Sequence, residues 1–171
     1  MREGTATNTP FIHTAHQESP VYYAIVAALM VVFPILSIGI DASVNNAPMG
    51  WLLIGKWFVF WSVGVRLFLA GLRQILQPRY TAEKILGLKS DDVLLVVREL
   101  GFANAAIGTV GIVSIVLTGW VAAAALAGGI FYGLAGINHA IQKHRNSLEN
   151  VAMTSDFFAA AVLLVYCARS I

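Results

Sequence analysis

Apolar residues in this chain come in long runs, not in the alternation of a half-buried strand or the narrow stripe of a water-soluble helix. Val21 to Ile40 is a stretch of 20 residues with no charged side chain. At about 1.5 Å per residue, a helix of that length covers the ~30 Å hydrocarbon core of a bilayer. It is longer than a signal-peptide core and no basic segment directly precedes it, so it reads as a retained transmembrane helix. Tyr22 and Tyr23 stand at its start, where an interfacial aromatic belt belongs, and Pro34 is expected to kink it. Comparable runs follow at about 51–76, 93–118, 121–141 and 151–168. The pattern predicts an all-α polytopic membrane bundle of about five helices. It occupies residues 21–171 behind a flexible polar arm, residues 1–20.

The polar breaks fix the connections. Residues 41–50, DASVNNAPMG, read as a loop without Lys or Arg. QPRY at 77–80 ends the second run, and TAEKILGLKSDD at 81–92 predicts a short amphipathic helical turn. Ser90 is a candidate N-cap for the third helix, with Asp91 and Asp92 in its first turn. Gly119-Trp120 makes a tight connection, and 142–150 read as a polar loop. The tryptophans at 51, 57, 61 and 120 read as interface anchors or lipid-facing bulk.

Composition agrees. Of 171 residues 58% are hydrophobic and 12% charged, against about 25% charged in soluble domains, and the mean hydropathy is +0.74. A net charge of +2 without a basic stripe excludes a nucleic-acid partner. The one cysteine, Cys167, excludes an internal disulfide and any CxxC motif, and reads as a small buried hydrophobe. His13 and His16 on the arm form HTAH, a chance polar pair and not a metal site. No phosphate loop, dinucleotide fingerprint, HExxH or nucleophile elbow is present.

Charge asymmetry sets the expected orientation. With the N-terminus cytoplasmic, Arg2, Arg73, Arg79, Lys84, Lys89, Arg98, Lys143 and Arg145 flank the inner face, and only Lys56 and Arg169 lie near the outer one. This topology brings Arg66, Arg73, Glu99, Asn104, His139 and Asp156 to one level in the inner half of the bilayer. Ionisable groups at such depth are costly and normally face a bundle interior. Such a cluster can lock helix register or hold a ligand or proton, and both readings stay open. Gly101, Asn104, Gly108 and Gly111 on the third helix, and Ala125, Gly129, Gly133 and Gly136 on the fourth, form small-residue stripes expected to pack within the bundle.

Taken together, TAEKILGL, RELGFANAAIGTVGIVS, GGIFYGLAGINHAI and the Asp-containing start of the last helix resemble the DoxX-like group of small bacterial membrane proteins. The resemblance covers roughly residues 51–168 and implies a four-helix bundle, here with an extra N-terminal helix. It highlights Glu83, Glu99, Gly101, Asn104, Gly108, His139 and Asp156. Some of that group are associated with quinone-linked sulfur oxidation or redox-stress complexes. The function expected from the residues is non-catalytic, an accessory or small-molecule-binding membrane subunit, and the resemblance implies the bacterial inner membrane as its place. No resident cofactor or metal is expected, and a bound lipid or quinone is the ligand class. Membrane lipid, a second copy or a larger membrane complex are the expected partners. A small proton-coupled transporter and a membrane redox component are the alternatives.

Overall fold

The computed structural model describes residues 20–170, which are helices and turns with no strand among them. The expectations for the arm, His13 and His16 lie outside the described residues. Five helices are long and apolar enough to cross a membrane: Pro20–Val44 (span 1), Trp51–Leu76 (span 2), Asp92–Val113 (span 3), Thr118–Ile141 (span 4) and Ser147–Ser170 (span 5). The protein is an all-α polytopic helical bundle.

Three boundaries differ from the sequence expectation, each for a local chemical reason. Span 1 does not stop at Ile40. Asp41 continues the helix because its carboxylate is buried and takes bonds from Asn45 Nδ2 (2.8 Å), Lys56 Nζ (2.6 Å) and Trp57 Nε1 (2.9 Å). Its own carbonyl accepts from the Asn45 and Ala47 N–H groups and closes the last turn. Asn46 follows in the left-handed region, φ 51°, which asparagine tolerates. Span 3 stops at Val113 instead of Thr118. There Ser114 Oγ donates to the Gly111 carbonyl at 2.7 Å, a local bond that competes with the helical ladder. Span 5 starts inside the expected polar loop because Asn146 and Glu149 form a reciprocal capping box. Asn146 Oδ1 accepts from the Glu149 N–H (2.9 Å), and Glu149 Oε2 accepts from the Asn146 N–H (3.0 Å).

The connection between spans 3 and 4 falls at 114–117, and Gly119-Trp120, expected to make it, lies in the first turn of span 4. Ser90 Oγ accepts from the Asp92 N–H at 3.3 Å, but the N-cap of span 3 is Asp91, whose side chain makes no capping bond. Between spans 2 and 3, Arg79 bridges Glu83 (3.0 Å) and Asp91 (2.8 Å). The hydrogen bonds that Arg79 donates to these two carboxylates hold its guanidinium above its ordinary pKa. Arg145 caps span 4 by donating to the carbonyls of His139, Ala140 and Gln142.

The core is small and central. Val59, Val63 and Leu67 of span 2 meet Ala124, Ala125 and Tyr132 of span 4, Ala159 and Leu163 of span 5, and Met30 of span 1. Spans 2 and 3 touch backbone to backbone. A Cβ on Gly111 would stand 2.6 Å from the Gly64 nitrogen, and one on Gly71 would stand 2.5 Å from the Ala105 nitrogen. Spans 4 and 5 meet differently: Gly129 and Gly136 seat the side chains of Leu164 and Phe157. Both small-residue stripes therefore pack within the bundle, as their spacing predicts. Cys167 is only half-buried, with Sγ 3.9 Å from the Ala122 carbonyl.

Two spans carry a widened π-helical turn, Ala28–Val32 in span 1 and Val59–Val65 in span 2. The first explains how Pro34 is housed. A proline ring clashes with the carbonyl four residues back, here Met30, and the wider turn relieves that clash.

Candidate functional site

The second π-helical turn builds the site. In it the Arg66 N–H donates to the Trp61 and Val63 carbonyls and not to Ser62. The Ser62 carbonyl accepts instead from the Tyr132 hydroxyl of span 4. An unpaired buried carbonyl is costly, so this bond ties span 4 to the widened turn. The same turn is followed at once by Arg66, whose guanidinium lies 4.8 Å from the Tyr132 ring centre.

Arg66 spends its donors on span 5 and span 1. Nη2 reaches Asp156 Oδ1 at 2.8 Å and Ser155 Oγ at 2.9 Å, and Nη1 points at the Met30 sulfur at 3.6 Å. The pair is nearly dry: side-chain exposures are 13% for Arg66 and 7% for Asp156. The Ser155 hydroxyl also donates to the Ala152 carbonyl, which spends its one donor. Two opposite charges, a hydroxyl, a thioether and an aromatic face thus converge from four helices, spans 1, 2, 4 and 5. A pair so desolvated persists only with good geometry and further hydrogen bonds, and this one has both.

Of the six residues expected to form one cluster, the structure bonds two, Arg66 and Asp156, and buries a third, His139, near their level. His139 makes no ion pair or side-chain hydrogen bond with Asp156. The contacts of Gly129 with Leu164, Gly133 with Ala160 and Gly136 with Phe157 set an antiparallel register. In that register His139 falls close to the level of Asp156. The Nδ1 of His139 and the Oε1 of Glu149 are buried without a hydrogen-bond partner.

The other three residues lie elsewhere. Asn104 is buried but pairs with Gln74, Nδ2 to Oε1 at 2.8 Å, and cross-links spans 2 and 3. Arg73 is exposed and stacks on Tyr80 at 3.5 Å, away from the ion pair. Glu99 does not turn inward: it is exposed, like Arg98, because Val97, Gly101 and Asn104 define the buried face of span 3. Glu83 binds Arg79 at the surface.

Sequence reading missed Tyr132, Met30 and Gln74 as partners. A tyrosine amid the Ala/Gly-rich span 4 was a signal for Tyr132, because a buried phenol needs an acceptor. A methionine gives no comparable signal. Trp57 and Trp61 act as donors, to Asp41 and to Ser37 Oγ (2.9 Å), in addition to supplying bulk.

An apolar groove of about 460 Å³ adjoins the ion pair between spans 1 and 5. Val26, Met30, Val31, Val151, Ser155 and Phe158 line it, and Asn150 stands at one end. Met30 and Ser155 are at once groove wall and Arg66 ligands.

No curated protein and no solved structure matches the chain. A family model matches residues 20–170, all five spans, and the protein accordingly belongs to a family of unknown function, DUF6790.

Proposed function

We propose that this protein is a multi-pass protein of the bacterial inner membrane, N-terminus cytoplasmic, that binds a lipid or quinone in the groove between spans 1 and 5. The carrying observation is that the groove's wall residues Met30 and Ser155 are direct ligands of Arg66. An acyl or isoprenoid chain matches the apolar lining, because such sites are mostly apolar with few polar groups. Its polar end would face Asn150, which already accepts from Arg145 Nε at 3.0 Å. The ligand's chain would thereby press on the side chains that hold the ion pair.

The test is native mass spectrometry of gently extracted protein, then rebinding of ubiquinone or phosphatidylglycerol to delipidated protein. Wild type is expected to retain one such molecule per chain, and Thr154→Trp, at a groove-lining position whose own side chain bonds the Asn150 carbonyl and not Arg66, to lose it. Delipidated wild type that rebinds neither probe, or Thr154→Trp that binds both as well as wild type, would overturn the reading.

A second reading is proton handling. It is favoured by the buried, unpartnered His139 Nδ1 and Glu149 Oε1 on the side of Asp156 that faces the basic loops. Proteoliposomes with an internal pH dye are the check. Proton flux lost in Asp156→Asn but kept in Glu99→Gln supports it, and no flux above empty vesicles ends it.

A further inference from the structure

A second cavity lies at the opposite end of the bundle from the basic loops. It measures about 610 Å³ and sits where span 1 ends, spans 2 and 4 begin and span 5 ends. Asp41, Asn45, Lys56 and Thr118 supply its polar lining, and Leu53 and Val121 part of its apolar lining. Tyr166 forms one wall. Its ring lies across Gly55, where any Cβ would collide with it.

The donors and acceptors here are unequally spent. The Asp41 carboxylate is occupied by three donors, Lys56, Asn45 and Trp57. An ammonium carries three N–H donors, and Lys56 uses one on Asp41 while lying 4.8 Å from the Trp57 ring centre. Its side chain is 32% exposed, against 8% for Asp41, and it lines the cavity with two donors unspent. The Asn45 amide has a second N–H. The Thr118 and Tyr166 hydroxyls bond to no described residue. Arg169 lies over the Trp51 ring at 5.6 Å, so among the described residues the charged side chains at this end are Lys56 and Arg169 against Asp41.

We propose that this cavity binds a small amphiphilic anion, its carboxylate or phosphate head on Lys56, Asn45 and Thr118 and a short apolar body against Leu53 and Val121. The charged donors decide the sign of the ligand: Lys56 keeps two ammonium N–H groups unspent, whereas Asp41 already receives three hydrogen bonds and is paired with that lysine. A cation would find Asp41 already neutralised. Asp41 is a positioning residue, holding Lys56 and Asn45 so that their unspent N–H groups converge. The site is separate from the Arg66 groove and does not depend on the reading given to it.

Calorimetric titration of the full chain in nanodiscs of zwitterionic lipid, using hexanoate and hexyl phosphate, tests this. Saturable binding is expected. Lys56→Met should weaken it at least about tenfold, the loss expected for one charge-assisted hydrogen bond. Thr118→Phe, which fills the cavity and leaves the Asp41–Lys56 pair intact, should abolish it even if the lysine variant proves unstable. Soluble probes that bind identify a free anion as the source. If the soluble probes fail but phosphatidic acid added to the nanodiscs gives a saturable, Thr118→Phe-sensitive response, the head belongs to a lipid. Absence of binding in both arms would overturn the proposal, as would equal binding of hexylamine or unchanged binding in Thr118→Phe.

Discussion

Arg66–Asp156 joins residues 90 positions apart, and Asp41–Lys56 joins residues 15 apart. The first pair links spans 2 and 5 inside the bundle, and both partners are nearly dry. The second closes the turn between spans 1 and 2, and its lysine is 32% exposed. Their chemistry is alike, but the cost of breaking them is not. A charge left in a dry interior has no solvent to turn to, whereas Asp41 would keep Asn45 and Trp57 as donors beside an open cavity.

The sharpest way to break this comparison is Arg66→Met. It strands Asp156, 5% exposed, and is expected to cost about 3–5 kcal/mol, the range for removing one partner of a buried pair. Denaturation in detergent would measure it, and Arg66→Met with Asp156→Leu should recover much of the loss. If the single variant costs no more than Lys56→Met, the contrast between the two pairs fails.

The next effect tests the seam that seats span 3 beside Arg66. Gly108→Ala drives a methyl into the backbone of Phe68, and overpacking of that kind costs about 1–3 kcal/mol. Gly133→Ala meets nothing nearer than Ala160 Cβ at 3.8 Å and should stay within about 0.5 kcal/mol. Equal melting shifts for the two would mean that spans 2 and 3 are not in backbone contact.

Lys56→Met should lower stability less than Arg66→Met, and added salt should weaken the wild-type Asp41–Lys56 link more than the Arg66 pair, because screening reaches exposed charges first. A salt titration of thermal stability in wild type and in each variant separates these cases, the Lys56→Met difference shrinking with salt and the Arg66→Met difference holding. The smallest effect is expected from Glu99→Gln. The carboxylate is exposed and outside the ion-pair cluster, so the change should stay within about 0.5 kcal/mol. A loss of several kcal/mol would return Glu99 to the interior.

Much of the site was legible, and its omissions share a cause. Arg66 and Asp156 stood out because a charge far from a span's ends cannot reach the interface. Glu99 looked equivalent by depth, but depth does not give rotational phase. In a lipid-facing helix both faces are apolar, so polarity does not mark which side turns inward. Gly101, Gly108 and Gly111 did mark it: they are the buried face of span 3, and Glu99 lies off that face. The Asn146–Glu149 capping box was readable from its spacing and contradicts the long polar loop. Asp41 was not readable as helical, because what buries it is Lys56 and Trp57 on the next span.

The sequence by itself determined five spans and the small-residue seams, since bilayer thickness and close backbone approach act on local composition. Only the tertiary structure decided which polar groups meet. Arg66 finds Asp156, Ser155 and Met30, and Asn104 finds Gln74 instead of the charges, through helix rotation and the register set by the Gly129, Gly133 and Gly136 contacts. Those are properties of packed pairs of helices, and no single helix carries them.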